Sequence, residues 1–380
     1  MIYLDNAATT KICDEALIIV NEINKDFYAN PSSMHALGYL AEKKLKDAKE
    51  TVMKTIGARS GDFIFTSGGT ESNNQAFFGV LKNKIKRHPH IITTQIEHPS
   101  VMECAKFLED LGCEVTYIAP DEKGIISADK VADAVKENTA LVSVMAVNNE
   151  TGAIAPISDI VKKVKAKNKD TIVHTDCVQA LSNIEIKAHA WGVDLLSVSA
   201  HKVCGPKGVG GLYISDKVKL LPLILGGHQQ KNLRSGTQDV AGACGFSKAC
   251  EVFSENMSEK QEKYKKLKQT LKDNLPDFIT VNNDGDCFSP HIVSLRVKNV
   301  RAEVLLHALE TEGICISAGS ACSTNKPAPS HVLLAQGFDR KHIEETIRVS
   351  FGPYNTEEEI KSFCACLSKH ATALARFTRA

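Results

Sequence analysis

One lysine of the sequence has surroundings that suit covalent chemistry. Lys202 follows an apolar run at 195–199 and enters the glycine-rich turn GPKG at 205–208. A lysine after a strand lies at the sheet edge where α/β proteins bind ligands, and a desolvated amine there can form a Schiff base. Lys207 competes for this role, but its place between proline and glycine favours a loop tip. We therefore assign the reactive amine to Lys202; the alternative is a surface lysine beside a turn.

Polar residues at the ends of neighbouring apolar runs point to a phosphorylated pyridine as the cofactor. Asp176 ends one run, and a carboxylate there suits the pyridinium nitrogen of pyridoxal phosphate. Ser199 and His201 are candidate phosphate donors. The turn TSGGTE at 66–71 is another candidate, because backbone N–H groups at a helix start bind anions. It lacks the lysine of a P-loop and the spacing of a dinucleotide fingerprint. A plain glycine turn with a helix cap stays the alternative.

One cysteine lies in a stretch typical of a loop. Cys322 is surrounded by small and polar residues and two prolines between 317 and 330, which makes it more accessible than a cysteine in a core strand. Most of the other cysteines lie within apolar runs or helices, which is typical of small buried side chains. No cysteine spacing matches a structural zinc site, so we expect no metal.

Composition excludes several classes of protein. The chain has 380 residues and a net charge of +1, which gives no global electrostatic basis for binding nucleic acid or an anionic membrane. No apolar run approaches the roughly 18 residues that a membrane helix needs. The first residues do not resemble a secretory signal, so the 12 cysteines are expected to be reduced thiols of a cytoplasmic protein.

Short β-rich runs alternate with helix-length segments from about 60 to 215, which is typical of a βαβ sheet. Crossover helices are predicted at 71–87, after Pro99, and from Ser127. The predicted strands are 63–66, 91–94, 115–118, 141–147, 172–175, 195–199 and 211–214.

The sequence pattern changes after about residue 239. A charged helix is predicted at 258–275, and a closing helix at 355–376 begins with a capping box formed by Thr356 and Glu359. Strands are predicted near 291–297, 314–318 and 347–351. We expect a large domain at 14–258 and a small α+β domain formed by 1–13 and 259–380, which carries the Cys322 loop.

Taken in order, these residues resemble the cysteine desulfurases of the NifS and IscS type, a pyridoxal phosphate-dependent branch of the class V aminotransferases. The resemblance covers nearly the whole chain. It implies the type I fold of pyridoxal phosphate-dependent transferases, with a mostly parallel seven-stranded sheet in the large domain and a smaller α+β domain. The matching motifs are YLDNAATT (3–10), NPSS (30–33), SGGTESN (67–73), EH (97–98), VNNETG (147–152), HTD (174–176), SAHKVCGPKG (199–208), RSGT (234–237), SAC (320–322) and RVS (348–350).

The resemblance implies a role for each matching residue. Lys202 binds the cofactor and moves the substrate α-proton, Cys322 accepts the substrate sulfur, and His98 stacks on the ring and assists proton transfer. The implied cofactor-binding residues are Gly69, Thr70, His98, Asn149, Asp176, Gln179, Ser199, His201, Lys202 and, from the other subunit of a homodimer, Thr237. The implied substrate-binding residues are Asn149, Arg348 and Asn30.

The activity implied by the resemblance is removal of sulfur from L-cysteine, giving L-alanine and a persulfide on Cys322. The sulfur would go to an iron-sulfur scaffold or another acceptor, including the machinery of tRNA thiolation. The loop around Cys322 resembles that of the long-loop group of the family. Cys177 and Cys204 depart from the family pattern, and we interpret both as space-filling.

Other functions remain open at this point. A selenocysteine lyase or an aminotransferase could use the same fold, and an aminotransferase would not need Cys322. A sulfur carrier or scaffold without cofactor is a candidate from a different class. Such a carrier would need neither Lys202 nor Asp176, and the presence of both argues against it.

Overall fold

The structure is a computed structural model that describes residues 1–318 and 329–377. Its helices are α1 (Asp14–Asp26), α2 (Ala36–Thr55), α3 (Gly69–Leu81), α4 (Pro99–Asp110), α5 (Ala128–Asp133), α6 (Ile157–Lys167), α7 (Ala188–Trp191), α8 (Val240–Ser254), α9 (Met257–Asp273), α10 (Ala302–Glu310), α11 (His331–Ala335), α12 (Arg340–Glu344) and α13 (Glu357–Phe377). Its strands are β1 (Ile2–Tyr3), β2 (Asp62–Thr66), β3 (His90–Thr94), β4 (Glu114–Ile118), β5 (Thr139–Ser143), β6 (Ile172–Asp176), β7 (Leu195–Ser199), β8 (Gly210–Ile214), β9 (Ile279–Val281), β10 (Ile292–Val297), β11 (Ile314–Cys315), β12 (Ser317–Ala318) and β13 (Thr346–Ser350).

A seven-stranded sheet forms the centre of the fold, in the order β2-β8-β7-β6-β5-β3-β4. The five strands from β7 to β4 in this order run parallel, whereas β8 is antiparallel to both of its neighbours. Since β2 and β7 both oppose β8, they point the same way. Six strands therefore end at one edge of the sheet, and the predicted α/β class with a mostly parallel sheet is confirmed.

Three of the predicted elements are clearly longer than the observed ones. The strand predicted at 314–318 is divided into β11 and β12, which belong to different sheets. The strand predicted at 141–147 ends at Ser143, beyond which Val144 and Ala146 bond to the backbone of β6. The helix predicted at 71–87 ends at Leu81, and a separate 3-10 turn follows at Ile85–Arg87. Four of the six residues at 82–87 are basic, and like charges four apart on a helix, such as Lys82 and Lys86, repel each other.

A second hydrophobic core lies apart from the large sheet. An antiparallel sheet in the order β12-β13-β10-β9 packs with α9, α10 and α13 around residues such as Leu267, Val293 and Phe363. The predicted capping box is confirmed: Thr356 Oγ1 accepts from the N–H of Glu359, and Glu359 Oε2 accepts from the N–H of Thr356, both at 3.2 Å. The smaller domain is thus present, while its boundaries at 14 and 258 stay a proposal.

Residues 2–10 form a strap that joins the second core to the large sheet. At one end, Leu4 is buried in the second core, and its carbonyl accepts from the N–H of Ser350 at 2.7 Å. At the other end, Thr10 donates through its hydroxyl to the carbonyl of His201 at 2.8 Å. The strap thus passes directly beside Lys202. Among the helices of the described part of the chain, none combines the length and apolar character that crossing a membrane requires.

Candidate functional site

The polar ends of three strands meet at one edge of the large sheet. Asp176 is the last residue of β6 and Ser199 the last of β7, and these strands pair in parallel. Gly69 begins α3 shortly after β2 ends, on the same edge. His98 follows β3 and caps the N-terminus of α4. The topology therefore brings together the residues that the sequence placed at strand ends.

Lys202 lies in the 3-10 turn that follows β7, with its amine against the strap. Its Nζ donates to the carbonyl of Ala7 at 2.6 Å and to that of Ala8 at 2.7 Å. Gln179 Nε2 donates to the same Ala7 carbonyl at 2.8 Å. The strap thus fixes the lysine amine and the glutamine amide side by side, next to the end of β6.

The carboxylate of Asp176 is held by two donors and is only 5% exposed. Oδ1 accepts from the N–H of Val178 at 2.9 Å, and Oδ2 accepts from Asn73 Nδ2 at 2.7 Å. Asn73 Nδ2 also bonds to Ser100 Oγ at 2.9 Å, and Ser100 Oγ lies 2.8 Å from His98 Nδ1. A continuous chain of hydrogen bonds therefore runs from Asp176 to His98.

Burial lowers the pKa of His98, with Asp176 opposing the shift and Lys202 and His331 adding to it. Burial also lowers the pKa of His201 to about 4, and the positive charge of Lys202 acts in the same direction. Both imidazoles are accordingly neutral at physiological pH. A neutral imidazole can donate through one ring nitrogen and accept through the other.

The start of α3 faces Ser199 across open space. Gly68, the residue before the helix, has φ +152°, a backbone conformation that side chains other than glycine rarely adopt. A Cβ at this position would meet only Ser199 Oγ, at 3.9 Å. The first N–H groups of a helix have no carbonyl partner within it and attract anions. Together with the exposed Thr70, these groups form a cradle for a phosphate.

Arg348 of β13 reaches the site from the second core. It is 6% exposed, and its guanidinium donates to Asp5 Oδ1 and to the carbonyl of Asn149, each at 2.8 Å. Its Nε is buried and has no hydrogen-bond partner within the described residues. Two of its five N–H donors thus fix the guanidinium in place within the described residues.

Cys322 lies outside the described residues, but the chain on both sides of it is anchored near the site. Before it, Ser317 pairs with Arg348 in the antiparallel sheet. After it, Ser330 Oγ donates to Glu150 Oε2 at 2.5 Å, and His331 Nε2 lies 2.9 Å from the carbonyl oxygen of Glu97. The described residues on both sides of the segment that carries Cys322 are therefore bonded to Arg348, Glu150 and Glu97.

Two acidic side chains beside the site are fully buried. Burial raises the pKa of Glu97 to about 8, against the lowering effect of the Met145 N–H and the Thr94 hydroxyl. Burial likewise raises the pKa of Glu150, although Ser330, His331 and Arg348 each lower it.

Two of the sequence-predicted residues are not joined to the others. Asn30 is exposed, and its Oδ1 accepts from the nearby N–H of Ser32 at 2.9 Å. Thr237 is also exposed. In residues 1–318 and 329–377, no hydrogen bond links either of them to the remaining candidates. Their roles stay predictions.

Three residues of the site were missed as functional by the sequence reasoning: Asn73, Ser100 and Glu150. Each lies one to three residues from a selected residue: Asn73 and Glu150 lie within the motifs SGGTESN and VNNETG, and Ser100 lies two residues after the motif EH. A polar residue on the inner face of a helix that starts at a ligand-binding edge was the available signal. Asn73 and Ser100 both lie near such helix starts and are buried.

The donor set fits pyridoxal phosphate. The site offers an amine at Lys202, a carboxylate already oriented by two donors at Asp176, and an amide at Gln179. The cradle between Gly68 and Ser199, which a Cβ at residue 68 would enter, has the donors that a phosphate needs. These are the interactions that an aldehyde, a ring nitrogen, a phenolic oxygen and a phosphate require.

Comparison with known proteins identifies relatives along nearly the whole chain. The family described as "Aminotransferase class-V" matches residues 2–363. A cysteine desulfurase IscS of Dictyoglomus turgidum is 40% identical over 363 residues, covering 94% of this chain and 91% of the relative. A solved structure of a NifS-like protein has a TM-score of 0.93 at 37% identity, with 98% of this chain and all (100%) of that chain covered. A structure described as "SspA in complex with cysteine" has a TM-score of 0.83 at 34% identity, with coverage of 94% and 100%.

Proposed function

The chain belongs to the class-V aminotransferase family, and we propose that it acts as an L-cysteine desulfurase that uses pyridoxal phosphate and passes sulfur through Cys322. The observation that carries this proposal is the meeting of Lys202, Asp176 and His98 at one sheet edge, with Arg348 anchored beside them. The similarity to a cysteine desulfurase and to a protein solved with cysteine supports the substrate.

The cofactor-binding role is divided among residues of the large sheet. Pyridoxal phosphate, when bound, supplies an electron sink that makes the substrate α-proton acidic. Asp176 would hold the ring nitrogen protonated, Gln179 would bond the phenolic oxygen, and the cradle with Thr70 would hold the phosphate. His98 would stack on the ring. Lys202 Nζ, released from the strap carbonyls, would carry the α-proton.

Substrate binding falls to Arg348 and Asn149. A guanidinium suits a carboxylate because its donors lie in one plane, and this one is already oriented by Asp5 and the Asn149 carbonyl. The unpartnered Nε adds a donor on the same group. We therefore assign recognition of the cysteine carboxylate to Arg348, with the Asn149 side chain as its neighbour. Asn30 is a further candidate from the sequence.

The sulfur transfer balances without any added oxidant. L-cysteine and the Cys322 thiol together give L-alanine and a Cys322 persulfide: the substrate C–S bond breaks, an S–S bond forms, and the thiol proton goes to alanine. Only the thiolate is nucleophilic, and an ordinary thiol with a pKa of about 8.5 is mostly protonated at neutral pH. His98, whose imidazole is neutral, is the candidate acceptor of that proton.

The test measures both products with the purified protein, L-cysteine, added pyridoxal phosphate and a thiol reductant. We expect alanine and sulfide in equal amounts, and we expect Cys322→Ala to abolish both. Cys287→Ala is the matched control, because Cys287 is exposed and no hydrogen bond of the described residues joins it to the site residues. Alanine formed at an undiminished rate by the Cys322 variant would refute sulfur transfer through Cys322, whereas 3-mercaptopyruvate formed in place of alanine would favour an aminotransferase.

We further propose a homodimer in which Thr237 completes the phosphate site of the partner. Thr237 is exposed in the single chain, and its loop is fixed by an ion pair between Arg234 and Glu71 at 2.9 Å. The mouth of the site beside His98 is bordered by Phe107, which is 52% exposed. A second subunit would cover this apolar wall. Sedimentation equilibrium should give twice the chain mass, and Thr237→Ala should weaken cofactor binding; a monomer that retains full cofactor affinity would contradict the proposal.

The physiological role follows from the persulfide. We propose that Cys322 donates sulfur to an iron-sulfur scaffold or another acceptor in the cytoplasm, as the resemblance implies. Incubation of protein preloaded with [35S]cysteine with a candidate scaffold should move the label to the scaffold. Label that stays on this chain would remove that scaffold as the acceptor.

A further inference from the structure

We propose that Asn73 and Ser100 are positioning residues that fix the orientation and the proton position of His98 by linking it to Asp176. The proposal rests on the proposed function only for the role of His98 in catalysis. The arrangement itself is carried by hydrogen bonds between buried side chains on α3, α4 and the end of β6.

The link consists of four hydrogen bonds. Asn73 Nδ2 donates to Asp176 Oδ2 at 2.7 Å and to Ser100 Oγ at 2.9 Å. Ser100 Oγ lies 2.8 Å from His98 Nδ1, and the Ser100 N–H donates to the same nitrogen at 3.1 Å. Asn73, Ser100 and Asp176 are each buried. No water is therefore needed to connect the aspartate to the histidine.

The direction of each hydrogen bond follows from the chemistry at the two ends. A carboxylate only accepts, so Asp176 requires the amide nitrogen of Asn73 and not its oxygen. The second hydrogen of that amide points to Ser100 Oγ, which leaves the hydroxyl hydrogen for His98 Nδ1. The Ser100 N–H also needs an acceptor at Nδ1. The ring proton of neutral His98 therefore lies on Nε2, so Nε2 is a donor in the site and can accept the Cys322 proton only after it has passed its own proton on.

The amide of Asn73 is held in this orientation although its oxygen atom forms no hydrogen bond within the described residues. Its Oδ1 is buried and has no hydrogen-bond partner in the described part of the chain. A buried acceptor without a partner is unfavourable for stability. An apolar residue of similar shape would avoid that loss, but it would break the link between Asp176 and Ser100. The asparagine is thus better explained by the positions of its two acceptors than by packing.

The charged and titratable groups that interact with His98 are Asp176, Lys202, His201 and His331. They lie on β6, in the turn after β7 and on α11. Their charges act on His98 whether or not the side chain at position 100 has a hydroxyl. Substitution at Ser100 therefore changes the hydrogen bond at Nδ1 while leaving these charges in place. That separation makes the proposal testable by titration of the His98 ring.

The experiment is an NMR titration of the holoenzyme labelled with 15N and 13C in histidine only, with the His98 signal assigned from a His98→Gln variant. We expect the wild-type ring to show its proton on Nε2. Ser100→Ala should raise the pKa of His98 by about one unit, because the neutral ring loses a donor at Nδ1. Asn73→Ala should shift it in the same direction by less, since the hydroxyl then loses the donor that directs its hydrogen to His98.

The double variant distinguishes a connected chain from two separate effects. If Asn73 acts through Ser100, the Asn73→Ala, Ser100→Ala protein should titrate like Ser100→Ala alone; shifts that simply add would overturn the link. Ser100→Thr should keep the wild-type titration while its isostere Ser100→Val should not. Asn74→Ala is the matched control, because its amide bonds to the Thr70 carbonyl on the same helix.

Each remaining outcome has one meaning. A wild-type His98 with its proton on Nδ1, or a Ser100→Val protein that titrates like Ser100→Thr, would overturn the proposal. These results do not depend on turnover. A protein that shows the expected titrations but forms no alanine from L-cysteine would instead refute the proposed function.

Discussion

Replacing Glu97 by glutamine should remove a pH-dependent loss of stability. The side chain is fully buried, and burial raises its pKa from the ordinary 4.5 to about 8 in the folded protein. Oε1 accepts from Thr94 Oγ1 at 2.7 Å and from the Met145 N–H at 2.9 Å, and Oε2 has no partner within the described residues. Glutamine keeps the accepting oxygen but cannot ionise.

The direction in which the free energy of unfolding changes with pH follows from proton binding. Between about pH 4.5 and pH 8 the folded protein holds a proton on Glu97 that the unfolded chain has released, so the free energy of unfolding decreases as the pH rises. With these two pKa values, the bound proton stabilises the fold by about 3 kcal/mol at pH 6 and by less than about 1 kcal/mol at pH 8. The wild type should therefore lose about 2 kcal/mol over this range through Glu97 alone.

The assay is urea unfolding of the cofactor-free protein at about pH 6, 7 and 8. The wild type and the Glu97→Gln variant have all their other titrating groups in common. The difference between their free energies of unfolding therefore reports the titration of Glu97 alone. The variant should gain about 2 kcal/mol relative to the wild type from pH 6 to pH 8. Glu122→Gln, at an exposed position, should follow the wild type. Parallel curves for wild type and Glu97→Gln would refute the reasoning, since they would mean that Glu97 has the same pKa in both states.

Three further predictions concern binding and stability. Arg348→Lys should raise the KM for L-cysteine by about 10-fold or more in steady-state kinetics. The reason is that a lysine cannot reproduce the planar donor set that bonds Asn149. An unchanged KM would mean that Arg348 does not bind the substrate. Gly211→Ala should destabilise the fold by about 1–3 kcal/mol in urea, since the new Cβ would lie 1.9 Å from Cζ of the buried Phe63 ring. A variant as stable as the wild type would show that the Phe63 ring can move aside. Thr356→Ala should cost about 1 kcal/mol in the same assay by breaking the capping box, whereas an unchanged midpoint would mean that the cap contributes nothing.

Much of the large sheet was predictable from the sequence because its strands are short apolar runs bounded by polar turns. The predicted runs at 172–175 and 195–199 lie within one residue of β6 and β7. The reversed direction of β8 was not predicted. The connection from Ser199 to Gly210 is shorter than the dozen or so residues that a parallel crossover needs. The length of this connection was therefore the signal that β8 runs antiparallel to β7.

The helices of the chain were harder to predict than the strands. α1 and α2 received no prediction, although both contribute to the main core. α8 is mostly buried and packs against them, so it lacks the polar face on which helical periodicity depends.

The site was predictable where function depends on residue type at a strand end, as for Asp176 and Lys202. Contacts between distant parts of the chain were not, because no local pattern encodes them. The bond from Arg348 to Asp5 joins residues 343 apart in the sequence. The bond from Asn73 to Asp176 spans 103 residues. Such pairings are properties of the folded topology.

The strap has a consequence for the order in which the protein is made and becomes active. Residues 2–10 are synthesised long before the residues that they contact: Leu4 can bond only after Ser350 has been made, and Ala7 only after Lys202 has been made. Contacts this distant in sequence form slowly, because a long loop must close before they contribute. The large sheet can therefore assemble during translation while its lysine still lacks its neighbours. We expect competence to bind cofactor to arise as a late, post-translational event.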